Sequence, residues 1–329
     1  MGRFAVRLLL QLVAATFIVG VAAALLGYVR LVAPGPLERD TAIIIPKGGI
    51  SEIPRLLVGA GVISDATVFR LALRLSGRDR AIHAGEFLFS AMVSMEDVIS
   101  SLTSGATMKR RLTVAEGLTT AEVLKLIAVT DGLVGDVPRS LGEGVLLPET
   151  YFFSYGGARA VLVARMRSAM RETFAELWPR RAPGGAVTTP TEALILASII
   201  EKETAKDAER TRVSAVFHNR LKKHMRLQSD PTVVYAVTVG TGPLHRSLTR
   251  RDLATDSPYN TYRVHGLPPG PITNPGRASI VAALNPAVDD ALYFVADGSG
   301  GHVFARTLTE HNRNVARWRR LKRHPYPNR

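Results

Sequence analysis

The feature that most limits what this chain can become is the run from Leu8 to Val29, which contains no charged residue. About 22 helical residues at ~1.5 Å each span the hydrocarbon core of a bilayer, so the run predicts a membrane helix or a signal sequence. Only Gln11, Thr16 and Tyr28 interrupt its apolar character. Arg3, Arg7 and the terminal amine precede it, whereas Arg30 is soon followed by Glu38 and Asp40. The positive-inside rule then predicts a cytoplasmic amino terminus and export of everything after Val32. Ala22-Ala23-Ala24 mimics a signal-peptidase site, but the apolar stretch continues through Leu25 and Leu26, which favours an uncleaved anchor.

The remaining sequence is ordinary globular text, 46% hydrophobic in a chain of 329 residues, long enough for two or three folded units. Cysteine is absent, which excludes disulfides and thiolate metal sites. The net charge of +14 favours an anionic partner such as anionic lipid or an acidic wall polymer. Nucleic acid is not expected, because no binding motif or basic-aromatic interleaving accompanies the charge.

Pro34-Gly35-Pro36 separates the anchor from the first folded region. Ala42-Ile43-Ile44-Ile45 reads as a strand and Lys47-Gly48-Gly49 as a turn, with Ser51 as cap of a helix carrying Ile53, Leu56 and Leu57. A second helix is expected from Asp65, carrying Val68, Leu71 and Leu73; Phe87-Leu88-Phe89 reads as a returning strand, and Ser94 opens a helix that ends near Gly105. The result is a small α+β module of about 70 residues. The order of strand end, glycine turn, hydroxyl cap and helix recurs at Val114–Leu124. The first copy looks like the start of a LysM-type module.

Ala182-Pro-Gly-Gly-Ala186 marks the next break. Thr189-Pro190-Thr191-Glu192 then combines a threonine N-cap, proline at the first helical position and glutamate three residues past the cap, which predicts a helix beginning at Pro190. That helix is apolar on all sides until Glu201-Lys202-Glu203-Thr204. A carboxyl held against an apolar wall is a natural general acid, because burial disfavours its ionised form. Glu201 and Glu203 point about 200° apart, so one of them faces any given cleft, and helix geometry does not say which. A further helix is expected from about Asp207 to His224, and residues 226–276 read as a polar, site-lining loop region.

Leu196–Thr204, Val216–Leu221, Arg226–Tyr235, Ser257–Tyr262 with Gly266–Gly270, and Tyr293–Gly298 with Gly301-His302 together resemble the MltG (YceG-like) family of endolytic murein transglycosylases. The resemblance implies an α+β chain divided into a cytoplasmic end (1–7), a transmembrane helix (8–32), a LysM-like module (41–108) and a larger α+β catalytic domain (109–329) outside the plasma (inner) membrane. It implies Glu203 as the catalytic acid and base, paired with Thr204; Glu201 stays the alternative that helix geometry leaves open. The implied substrate is peptidoglycan glycan strands, which the resemblance expects to be cleaved between MurNAc and GlcNAc with 1,6-anhydro ends, terminating strand elongation. No cofactor or metal is expected, and cell-wall synthases are the implied protein partners. Gln228, Asp230, Tyr259, Asn260, Tyr262 and Asn219 are the candidate substrate-binding residues: hydrogen-bonding groups, stacking rings, and an asparagine placed to brace the glutamate. His218 stands where the family has an aliphatic residue and is expected to be packed, and Glu149 stands where Asp is commoner. A hydrolytic muramidase and a non-catalytic peptidoglycan-binding scaffold are the alternatives. The tail from Arg313 carries seven basic residues and no acid, which predicts a solvated basic helix and end segment.

Overall fold

The structure is a computed structural model that describes residues 2–46 and 51–323. It divides into two compact units, residues 1–110 with 153–156, and residues 111–152 with 157–329. The expected turn at Lys47-Gly48-Gly49 lies outside the described residues.

In the first unit, helix α1 (Gly2–Val32) contains the apolar run, and Val6–Val32 is long and apolar enough to cross a membrane. Its last turn is tied to the unit: Leu31 packs on the core and Arg30 lies 3.4 Å from Asp65. There follow β1 (Thr41–Ile45), α2 (Ile53–Gly59), α3 (Ala66–Leu75), β2 (Gly85–Phe89) and α4 (Met95–Ser104). Strands β1 and β2 pair antiparallel, Thr41 opposite Phe89 and Ile45 opposite Gly85. Leu57, Phe69, Leu73, Phe87, Phe89, Val98 and Leu102 fill the core between that ribbon and the helices. Asp65 caps α3 by accepting from the Thr67 and Val68 amides, and these bonds hold its carboxyl below the usual range. Ser94 caps α4, which ends at Gly105 in the left-handed conformation. Two expectations fail locally. Glu52, not Ser51, occupies the cap position of α2, because Pro54 sets the helix start one residue later. Leu71 is exposed, whereas Phe69 lies on the buried face of α3 with Leu73.

Strands β3 (Lys109–Thr113) and β5 (Thr150–Ser154) each have residues in both units, and the second unit contains α5 (Thr120–Val129), β4 (Leu133–Val134), β6 (Gly157–Ala158) and α6 (Arg159–Leu177). The short strands pair as β3 with β5 and β4 with β6. Then come α7 (Pro190–Glu203), α8 (Asp207–Lys222), α9 (Asp230–Thr238), α10 (Arg250–Leu253), α11 (Arg277–Leu284), the antiparallel hairpin β7 (Tyr293–Ala296) and β8 (His302–Ala305), and α12 (Leu308–Arg323). The expected loop region 226–276 therefore holds two helices. Asp230-Pro231 starts α9 with proline in its first turn, and Thr249 with Asp252 forms a capping box on α10.

Helix α7 is the axis of this unit. Its capping box at Thr189 and Glu192 is formed, and every residue from Ile195 to Ile200 is buried, as expected of a helix that is apolar all round. Leu196, Ile199 and Ile200 share one core with Val213 and Phe217 of α8 and with Ile280 and Leu284 of α11. Buried Ser198 donates to Ile195 O and accepts from the Ile272 amide at 3.0 Å, fastening the 271–274 loop to the middle of the helix. His218 is packed as expected: Nδ1 accepts from the Ala186 amide and Nε2 lies 2.9 Å from Ala283 O, so the neutral tautomer with its proton on Nε2 fits, and burial lowers its pKa.

The exposure difference along α3 gives a direct check. Phe69→Ala is expected to cost about 3–5 kcal/mol through the cavity it leaves, and Leu71→Ala about 0.5 kcal/mol or less. Urea unfolding of the full chain, followed by far-ultraviolet circular dichroism, measures both; equal costs would contradict the assigned face.

Candidate active site

The two glutamates at the end of α7 meet opposite environments. Glu201 accepts from the Gly276 amide at 2.9 Å and has Arg210 Nη2 at 3.9 Å from its Oε1. The same guanidinium lies 3.8 Å from Glu116 and contacts Asp207. A Cβ at residue 276 would meet the Glu116 carboxyl, which would have to move aside. Glu201 is thus a buried acceptor that fixes the start of α11.

Glu203 has no such cation in contact among the described residues. It is half-buried, with its carboxyl enclosed by protein, and its Oε1 accepts a hydrogen bond from the hydroxyl of Ser229. Burial pushes its pKa up to about 7. The Ser229 hydrogen bond and the positive Arg220 act against that rise, and the charge of Asp230 adds to it. Since Ser229 occupies Oε1, a proton bound to the acid sits on Oε2.

Ser229 owes its position to a strained turn and a network of buried hydroxyls. Gln228 is exposed and adopts φ 51°, a left-handed conformation that costs a non-glycine residue about 1 kcal/mol or more. Its amide donates to Thr261 O, and the Ser229 amide donates to Thr261 Oγ1 at 3.0 Å. Thr261 Oγ1 in turn lies 2.8 Å from Thr232 Oγ1. Thr232 and Thr261 are fully buried. Ser229 occupies the N-cap position of α9 yet makes no side-chain capping bond, because its hydroxyl is directed to Glu203. From α8, Arg220 donates to Leu292 O and Leu227 O, both at 2.7 Å, and its guanidinium lies over the Tyr293 ring.

The other candidate residues separate into two groups. Asp230 and Tyr262 stand beside Glu203: Tyr262 Oη donates to Asp230 Oδ1 at 2.6 Å, and burial raises the Tyr262 pKa. Asn260 is fully buried, giving its amide protons to Leu253 O and Thr255 O and accepting from the Tyr262 amide. It shapes the loop that carries Tyr262. Tyr259 packs on Tyr235 with ring centroids 4.7 Å apart. Asn219 donates to Asp289 O and Ala291 O, so its amide fastens α8 to the chain entering β7. Thr204 Oγ1 accepts from the Lys206 amide; the hydroxyl that meets Glu203 is that of Ser229. His302 Nδ1 is 2.7 Å from Glu209.

A cavity of about 340 Å³ opens next to this cluster, bounded by Lys202, Asp230, Pro231, Tyr235, Leu118 and Ile272 among others. A single raised-pKa carboxyl with a fixed hydroxyl partner, beside a groove, is the arrangement of a general acid that can also act as base. Residues 43–317 match the YceG-like family. The chain belongs to that family. A Bacillus subtilis protein named endolytic murein transglycosylase is 32% identical over 314 residues, covering 84% of this chain and 86% of the relative. A Streptococcus pneumoniae protein of the same name is 30% identical, covering 85% of this chain and 58% of its own length. The crystal structure of a YceG-like protein from Listeria monocytogenes shares 30% identity, with a TM-score of 0.51 over 84% of this chain and 99% of that one.

Within this YceG-like chain, sequence reasoning passed over Ser229 although it lies between two residues that were singled out. The signal was present: Ser-Asp-Pro is a helix start, and a capping serine has a hydroxyl free to be diverted. Glu143 was also passed over. Burial raises its pKa although it accepts from the Thr120 amide and hydroxyl and from the Gly144 amide, and Asn274 Nδ2 donates to it at 3.4 Å.

The raised pKa of Glu203 links stability to pH. Between about 4.5 and about 7 the folded state holds a proton that the unfolded state has lost, so stability falls as pH rises through that window. Glu203→Gln removes this loss. The stability gained by the variant over wild type should grow from pH 5 to pH 7.5 in urea titrations; a gain independent of pH would show that Glu203 titrates normally.

Proposed function

We propose that this YceG-like protein is a lytic transglycosylase that cuts murein glycan strands internally, with Glu203 as its only acid and base. The observation that carries the reading is the contrast at the end of α7: Glu201 is committed to Gly276 and Arg210, while Glu203 is poised near neutrality against Ser229. The names of the relatives give the substrate class.

The reaction needs one carboxyl. Glu203 donates its proton to the glycosidic oxygen as the bond from that oxygen to C1 of N-acetylmuramic acid breaks, leaving a free hydroxyl on the departing strand. The C6 hydroxyl of the same muramyl residue then attacks C1 and returns a proton to Glu203. No water is consumed, and the product carries a 1,6-anhydro ring. The nucleophile is part of the substrate and already close, which replaces the second carboxylate of ordinary glycosidases. A carboxyl of pKa about 7 is present in both forms near neutral pH, as the two proton transfers require. Asp230, which lines the groove, and Tyr262, which holds it, are placed to meet sugar hydroxyls or the N-acetyl group.

The amino-terminal helix is proposed as an uncleaved single-pass anchor with its amino terminus in the cytoplasm, supported by its length, its apolar run and the preceding Arg3 and Arg7. The order β1-α2-α3-β2 in the first unit, with its antiparallel ribbon, supports a LysM-like wall-binding module.

Glu203→Gln is expected to lower kcat by at least about 100-fold on purified glycan strands with KM little changed, since a general acid contributes roughly that much. Full activity of this variant would remove Glu203 from the mechanism. Mass spectrometry of the products checks the chemistry: ends lighter by one water are expected, and hydrated reducing ends would make the enzyme a muramidase. Ser229→Ala removes a hydrogen bond that lowers the Glu203 pKa. Its pH profile of kcat/KM should therefore lose activity at a higher pH than wild type does; an unmoved or lowered limb would contradict the role given to Ser229.

A further inference from the structure

Apart from Asp230 at its edge nearest Glu203, the cavity offers little that a sugar could bond. A pyranose ring carries hydroxyls around its rim and needs several free hydrogen-bonding side chains to meet them. Here the wall is built from Leu118, Pro231, Val234, Pro243, Leu248 and Ile272, with threonines between them. Two of those threonines are already engaged: Thr119 Oγ1 bonds Glu122, and Thr273 Oγ1 bonds Ser198 O. The Glu122 oxygen that faces Thr119 accepts from both its amide and its hydroxyl. The space suits an alkyl-bearing chain.

Its charges sit at particular places. Lys202 is the one cation among the residues around the cavity, and it is exposed. Its Nζ donates to Gly117 O at 3.2 Å, which fixes the ammonium over the groove and leaves two of its three N–H donors for a ligand. Asp230, beside Glu203, lies at the same cavity. Lys202 precedes Glu203 in the chain, and Asp230 both lines the cavity and lies close enough for its charge to act on Glu203, so the cavity adjoins the acid. Murein glycans carry a short peptide on the lactyl group of each muramyl residue, with small alkyl side chains and free carboxylates.

We propose that this cavity seats that peptide, its alkyl side chains against Leu118, Val234 and Leu248 and a carboxylate on Lys202. The inference rests on the proposed transglycosylase activity and adds a substrate requirement to it. The enzyme reads peptide-bearing muramyl residues at the cleavage point, and strands stripped of peptide leave the cavity unfilled.

The test compares two substrates: intact uncross-linked glycan strands, and the same strands after an amidase has removed their peptides. With the full-length enzyme, kcat/KM is expected to be at least about tenfold higher on peptide-bearing strands. Val234→Arg, which places a long charged side chain in the cavity, should reduce that preference to about twofold or less, and Val234→Leu should retain it. Lys202→Met should raise KM for peptide-bearing strands more than for stripped ones. Binding of the free peptide released by the amidase, measured by its line broadening in proton spectra of wild type and Lys202→Met, gives a readout that does not depend on turnover or on the folding of Val234→Arg. Equal kcat/KM on both substrates with wild type, or equal broadening with both proteins, would overturn the peptide assignment while leaving the transglycosylase intact. Absence of cleavage on either substrate, with peptide binding preserved, would instead remove the proposed activity.

Discussion

The hydrogen bond from Ser229 to Glu203 is the contact on which the site depends. Helix α7 delivers a carboxyl to the edge of an apolar core, where an ionised group is expensive and a neutral one is not. A single neutral donor lessens that cost without removing it, so the acid stays near neutrality. An arginine in direct contact would drive the carboxyl to permanent ionisation, as a tight ion pair does. Arg220 is instead occupied by the backbone carbonyls of Leu292, Leu227 and Arg226 and by the face of Tyr293, and it acts on Glu203 only from a distance.

That contact is maintained from several directions. The left-handed turn at Gln228 and the hydroxyls of Thr232 and Thr261 hold the Ser229 segment, and Asn260 holds the loop that carries Thr261. On the other side of α7, Ser198 ties in the 271–274 loop and Glu201 anchors Gly276. The two glutamates are therefore complementary. One is spent on architecture so that the helix end stays put, and the other keeps a proton to give away.

The scaffold was largely legible because it is written in periodic and capping signals. Thr189-Pro190-Thr191-Glu192 marks the first turn of α7, and Asp65 and Ser94 mark α3 and α4. The 226–276 segment was read as loop because its helices are short and carry little apolar periodicity; α9 has a proline in its first turn and α10 is one turn long. The identity of the acid was not legible from helix geometry, since a 200° separation says that two residues differ but not which side holds a cleft. Choosing required partners distant in sequence: Gly276 and Arg210 for one glutamate, Ser229 for the other. The same distance in sequence concealed the role of Asn219, whose amide serves two backbone carbonyls near β7, and Asn260 does the same within its own loop.

The central claim is that Glu203 carries a proton near neutral pH. Titration of its carboxyl carbon by ¹³C NMR, assigned by comparison with Glu203→Gln, measures this directly. The account predicts a midpoint near 7, set by burial against Ser229. A midpoint near the ordinary glutamate value of about 4.3 would contradict it.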